Sequence, residues 1–175
     1  MAYGRLNQKQ RKTLTKFVRG KVVHDLGAGD LELSSELLRL GASEVYAIDK
    51  EPKPRVLPSR VHYKQDYFHN IRSPLSTIFL AWPTNHDVNL VPIVKQAEMV
   101  IYLGCNTGGT ACGHTELFKT FVQRELLAYE PDKKNSLVVL GKFVGLRQPT
   151  GEELAGLNMS TSCYYTFEEA ERLGL

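Results

Sequence analysis

Cysteine is scarce in this 175-residue chain, and the three present, Cys105, Cys112 and Cys163, are odd in number and spaced for neither a disulfide framework nor a zinc site. No grouping of His, Cys, Asp or Glu has ligand spacing, so no metal is expected. Free thiols suit a reducing compartment, and a cytoplasmic location is the expectation. Long apolar runs are also missing: nothing approaches the roughly 20 residues that cross a bilayer, and the first residues are basic and polar where a secretory signal would be apolar. The composition therefore argues against membrane and extracellular roles. There is no internal repeat and no low-complexity tract.

Acidic residues are missing where basic ones are dense. Arg5, Lys9, Arg11, Lys12, Lys16, Arg19 and Lys21 share a stretch without Asp or Glu, and between residues 50 and 72 only Glu51 and Asp66 oppose Lys50, Lys53, Arg55, Arg60, Lys64 and Arg72. Segments 5–21 and 50–72 are thus candidate contacts for nucleic-acid phosphates, and a solvated helix face plus a solvated loop is the competing reading.

What is present fits one domain spanning residues 1–175, with 42% hydrophobic and 23% charged residues. Leu6, Leu14, Phe17 and Val18 predict a basic amphipathic helix over about 6–19, ended by Gly20. Lys21 to Asp25 predicts a strand that runs into a glycine turn, and Glu32 to Leu40 a helix that stops at Gly41. A second strand follows from Val45 to Asp49. Further strands are expected at 61–64, 77–81, 99–103, 137–140 and 163–167, with helices at about 88–96 and 115–127. This alternation predicts an α/β fold with a mostly parallel sheet of about seven strands, covered on both sides. The segment 51–58 holds Pro52, Pro54 and Pro58, and Pro74 interrupts the next connection, so regular crossover helices are not expected there. One sheet face is expected to be thinly covered, to be hidden by a partner subunit or second copy, by the N-terminal helix or by a substrate.

Gly27 and Gly29 stand between a strand and a helix, where backbone amides can approach a ligand at a helix start. Asp49 closes the next strand at the interval of a nucleotide-binding βαβ unit, placed to accept from ribose hydroxyls. With Asp25 in front, the run Asp25-Leu26-Gly27-Ala28-Gly29-Asp30 resembles the first motif of class I S-adenosylmethionine-dependent methyltransferases, and 41–49 resembles the approach to their second strand. The resemblance covers roughly residues 15 to 103. It implies a three-layer Rossmann-like fold and S-adenosyl-L-methionine as cofactor, held by Asp25, Gly27, Ala28, Gly29, Asp49, Lys50, Asp66 and Tyr67. In this family the residue matching Asp25 orders the loop, that matching Asp49 holds the ribose and that matching Asp66 meets the adenine.

The sequence departs from that family after the fourth strand. Amino-group methyltransferases place an acid or amide before their prolines, and here the segment is Ala81-Trp82-Pro83-Thr84-Asn85-His86-Asp87. Trp82 is the candidate to stack a flat acceptor, and Asn85 and His86 are candidates for the missing polar group. Packing of Trp82 beneath the sheet and capping of the next helix by Asp87 is the structural alternative. The glycine-rich segment 104–114 is a candidate substrate loop, without the lysine and hydroxyl residue of a P-loop. The expected activity is methyl transfer to a nucleic acid or nucleotide. A cofactor-binding module that acts as a subunit or RNA-binding partner, and transfer of another group from the same cofactor, are the alternatives.

Overall fold

The computed structural model describes residues 5–52, 54–84, 88–104, 115–121, 123–132 and 135–145. Among the described residues seven strands form one sheet: β1 (Val22–Leu26), β2 (Glu44–Asp49), β3 (Val61–Gln65), β4 (Thr77–Ala81), β5 (Met99–Gly104), β6 (Arg124–Glu130) and β7 (Ser136–Phe143). Their spatial order is β3-β2-β1-β4-β5-β7-β6. The first five run parallel, and β7 is antiparallel to both β5 and β6. Among the described residues four helices flank the sheet, α1 (Gln8–Val18) ahead of β1 and α2 (Glu32–Arg39), α3 (Leu90–Gln96) and α4 (Thr115–Phe121) between strands. The layers are those of a three-layer α/β methyltransferase fold.

Two apolar layers sandwich the sheet. On one face Leu14 and Val18 of α1 and Leu37 of α2 pack with Val23, Val45, Phe79 and Ile101. On the other, α3 and α4 cover Leu26, Ile78, Leu80, Val100 and Tyr102 through Leu90, Val94, Phe118 and Phe121. Central strands buried on both faces are near-continuous in apolar residues, as β4 and β5 are.

Both proline-bearing connections lack a helix, as the sequence predicts. Residues 50–52 and 54–60 hold no helix, and Leu57 packs on the α1/α2 face. Residues 66–76 hold only a single 3-10 turn, Phe68–Asn70, whose Phe68, with Ile71 and Leu75, covers part of the opposite face. Among the described residues no helix covers that face over β2 and β3, where Tyr46 and His62 are exposed. The N-terminal helix does not cover it, because α1 lies on the other face. There α1 docks against β6 through Thr13 Oγ1, which donates to Glu130 at 2.6 Å, and an ion pair of Lys9 with Glu130 at 2.8 Å. Its Arg11 pairs with Glu36 of α2 at 2.6 Å. The helix begins with a reciprocal cap, in which the Gln10 amide donates to the Asn7 side chain and the Asn7 amide donates to Gln10.

The helix expected over 115–127 is corrected: α4 ends at Phe121 and β6 begins at Arg124. Arg-Glu-Leu-Leu-Ala-Tyr-Glu is made largely of good helix formers, so pairing with β7 overrides local propensity. The fully buried Arg124 guanidinium secures the change, donating to the carbonyls of Gly141 at 2.7 Å, Val94 at 3.0 Å and Ala97. The strand expected at 163–167, the loop at 105–114 and all three cysteines lie outside the described residues. Among the described residues no helix is long and apolar enough to cross a membrane.

Candidate active site

A cleft of about 260 Å³ opens at the carboxyl ends of β1, β2, β3 and β4, where ligands bind in open α/β sheets. Its walls include Gly27, Asp49, Lys50, Asp66, Tyr67 and Trp82, over a floor of Leu26, Phe68 and Leu90. The glycine turn shapes one wall. Gly27 has φ +81° and Gly29 φ +54°, both left-handed, and the Gly27 amide is held by the Ile48 carbonyl at 2.8 Å.

Asp49 organises the turn from β2. One carboxylate oxygen accepts from the Gly29 amide at 2.8 Å and the other from the Glu51 amide at 3.0 Å. A carboxylate has about four acceptor directions, so two remain for a ligand diol. Asp66, after β3, is more fully engaged: Oδ1 accepts from the Tyr67 amide at 2.8 Å and Asn70 Nδ2 at 2.7 Å, and Oδ2 meets Lys64 at 2.6 Å. Lys64 first, then Asn70 and the Tyr67 amide, hold this carboxyl down at about 2, so it is ionised and keeps one acceptor direction for a donor such as an exocyclic amine.

Five of the eight residues expected to hold the cofactor line the cleft: Gly27, Asp49, Lys50, Asp66 and Tyr67. Asp25, Ala28 and Gly29 do not. Asp25 is 1% exposed and accepts from Ser34 Oγ at 2.5 Å, bracing β1 against α2 behind the turn. Burial pushes its carboxyl up to about 7, partly offset by the Ser34 hydrogen bond and reinforced by Asp49 and Asp30. Ala28 is buried with Leu31 and Leu37 because the turn dips into the core. Gly29 acts through its amide on Asp49.

On the acceptor side, Trp82 lines the cleft beside Ala81, Pro83 and Thr84, while Asn85, His86 and Asp87 lie outside the described residues. Trp82 has φ +53°, a left-handed backbone that costs a bulky residue of order 1–3 kcal/mol and that clusters at functional sites. Its amide donates to the Leu103 carbonyl at 2.8 Å and its indole Nε1 to Asn135 Oδ1 at 2.9 Å. Asn135 in turn donates to the Arg5 carbonyl at 3.0 Å, and its own carbonyl accepts from Gln10 at 2.5 Å. Nothing in the sequence around Asn135 signals this role. Phe68 and His69 also line the cleft unforeseen, though they directly follow the Asp66-Tyr67 pair that marks it.

No family model and no curated protein sequence matches the chain. Solved structures do match in fold. Magnesium protoporphyrin IX methyltransferase (ChlM) from Synechocystis PCC 6803, solved with bound SAH, aligns at TM-score 0.56 and 14% identity over 79% of this chain and 89% of its own. TrmK from M. capricolum, solved with S-adenosyl-homocysteine, aligns at TM-score 0.55 and 15% identity over 86% of this chain and 74% of its own. A protein of the NADB-Rossmann superfamily from Streptococcus agalactiae aligns at TM-score 0.57 and 14% identity over 91% and 80%. These likenesses identify the Rossmann-like fold of class I methyltransferases, and at such identity the fold does not by itself assign an activity.

Proposed function

We propose that this chain binds S-adenosyl-L-methionine in the cleft between Gly27, Asp49 and Asp66 and transfers its methyl group to a nucleic acid or nucleotide. Asp49 carries the cofactor reading: it is fixed by the Gly29 and Glu51 amides, 20 residues beyond the glycine turn, with two acceptor directions left over. That is the acceptor set a ribose diol requires. Asp66 offers one remaining acceptor direction to an adenine amine, and Leu26, Phe68 and Leu90 supply apolar surface for a flat base. When bound, the cofactor supplies an activated methyl on a sulfonium. The protein's task is then to align the acceptor and exclude water. Trp82 presents an aromatic ring to an acceptor base from the end of β4, held by its bond to Asn135.

The test is calorimetry with S-adenosyl-homocysteine on the purified chain, followed by labelled cofactor with separate RNA, DNA and protein pools. Binding that is lost in Asp49→Ala, together with label in a nucleic-acid pool, is the expected outcome, and no cofactor binding by the parent chain refutes the proposal. One observation favours a second reading. Ala81 stands where amino-group methyltransferases carry a polar side chain and lines the cleft without one. Cofactor binding without label in any pool would favour a binding module over an enzyme.

A further inference from the structure

The sheet face that no β3–β4 helix covers among the described residues carries a row of rings. His24, Tyr46 and His62 stand opposite one another in the parallel register of β1, β2 and β3. His24 and Tyr46 stack at 5.5 Å between centroids and 24° between planes, Tyr46 and His62 at 4.6 Å and 22°. One carboxylate oxygen of Glu44 accepts from the Tyr46 hydroxyl at 3.2 Å and meets His62 Nε2 at 3.0 Å, so Tyr46 and His62 are held in place before any ligand arrives. Among the described residues β3 is the edge of the sheet, and no strand stands beyond His62. The stack ends in an open ring face.

Beside the row runs a groove of about 540 Å³ whose walls carry Arg72 and Lys64, the latter paired with Asp66 at 2.6 Å. Asn70 lines this groove and also holds Asp66 of the cofactor cleft, so the two depressions meet across the 3-10 turn. Stacked rings at a sheet edge, flanking cations and a route to the cleft together describe a surface for bases and phosphates. We propose that this groove binds single-stranded nucleic acid, with a base continuing the ring stack on His62 and a phosphate meeting Arg72. The assignment builds on the acceptor class proposed above and locates where that acceptor is held.

Fluorescence anisotropy with fluorescein-labelled, mixed-sequence 12-nucleotide RNA and DNA strands tests it, with S-adenosyl-homocysteine calorimetry run on every variant. Tyr46→Ala and His62→Ala are each expected to weaken strand binding about tenfold, and Tyr46→Phe to preserve it. Arg72→Ala is expected to flatten the log affinity against log salt slope by about 0.7, one phosphate contact on a single strand. A preference between RNA and DNA then identifies the natural strand. The proposal is overturned if neither strand binds, if the alanine variants bind as the parent does, or if a duplex binds as tightly as a single strand. It is equally overturned if sedimentation shows a dimer that Tyr46→Ala dissociates, since a second copy then covers the face. Cofactor binding without strand binding defeats this surface alone, and strand binding without cofactor binding defeats the cofactor reading alone.

Discussion

Replacing Asp25 by Asn tests the account of the glycine turn through its electrostatics. Asp25 is fully buried, and its carboxyl is raised from an ordinary 3.8 to about 7. Between these values the folded chain keeps a proton that the unfolded chain has released. Unfolding stability therefore falls as pH rises through this window, by about 1.4 kcal/mol per unit for one proton, or about 4 kcal/mol in all. The contribution is absent as a penalty below the unfolded value and is present in full above the folded one. Asn carries no titrating proton and can still accept from Ser34 Oγ, which reaches Asp25 at 2.5 Å. Its extra amide hydrogens add a cost of about 1–3 kcal/mol that does not vary with pH. Urea unfolding of both chains without cofactor at about pH 4.5 and pH 8.5 then isolates the titration. The stability of Asp25→Asn relative to the parent is expected to rise by roughly 3–4 kcal/mol across that interval. A difference that stays constant with pH would refute the burial argument and with it the picture of Asp25 as a neutral brace near pH 6.

Three further outcomes follow from named contacts. Gly27→Ala puts a side chain at φ +81°, where the nearest neighbour, Phe68, is at an ordinary 3.8 Å; strain of about 1 kcal/mol should appear in urea unfolding, with weaker S-adenosyl-homocysteine binding by calorimetry. Arg124→Met removes the guanidinium from the carbonyls of Gly141, Val94 and Ala97, and a loss of about 3 kcal/mol, on the order of 10 °C in Tm, is expected by calorimetric melting; an unchanged Tm would contradict the role given to this cation. Trp82→Phe and Asn135→Ala, combined in a double-mutant cycle read by urea unfolding, should couple by about 1 kcal/mol if the 2.9 Å indole bond holds the ring, and additive effects would rule that out.

The first half of the fold was legible because its signals are local. Val22 and Val23, the glycine turn, the leucines of α2 and the acid closing β2 each act within a few residues, and the boundaries of β1, α2 and β2 fall within a residue or two of the expectation. The prolines at 52, 54 and 58 correctly foretold a connection without a helix. Residues 124–130 were illegible for the opposite reason. Their strand is imposed by β7 and by three carbonyls from α3, its C-cap and β7 around Arg124, contacts 17 to 30 residues away in sequence. Asn135 is a similar case, since its partners Trp82 and Arg5 lie 53 and 130 residues away.

The same contrast separates the two halves of the site. A cofactor of fixed shape needs a fixed set of groups, and those groups cluster where one turn and two strand ends meet, so they leave a spaced pattern in the sequence. Because the methyl is activated by its own sulfonium leaving group, the acceptor needs only to be held in line with it, and the residues that do this can come from anywhere. Trp82 illustrates the consequence. Its left-handed backbone, its amide on Leu103 and its indole on Asn135 fix the ring from three separate parts of the chain, although the neighbouring Ala81 carries no polar group. On the proposed function, orientation of the acceptor then rests on a stacked ring and on the surface that delivers the substrate, more than on a hydrogen bond to the nitrogen being methylated. Such a site would discriminate weakly by hydrogen bonding and more strongly by what can reach it, and on the strand-binding proposal that selection falls to the ring row at the far side of the 3-10 turn.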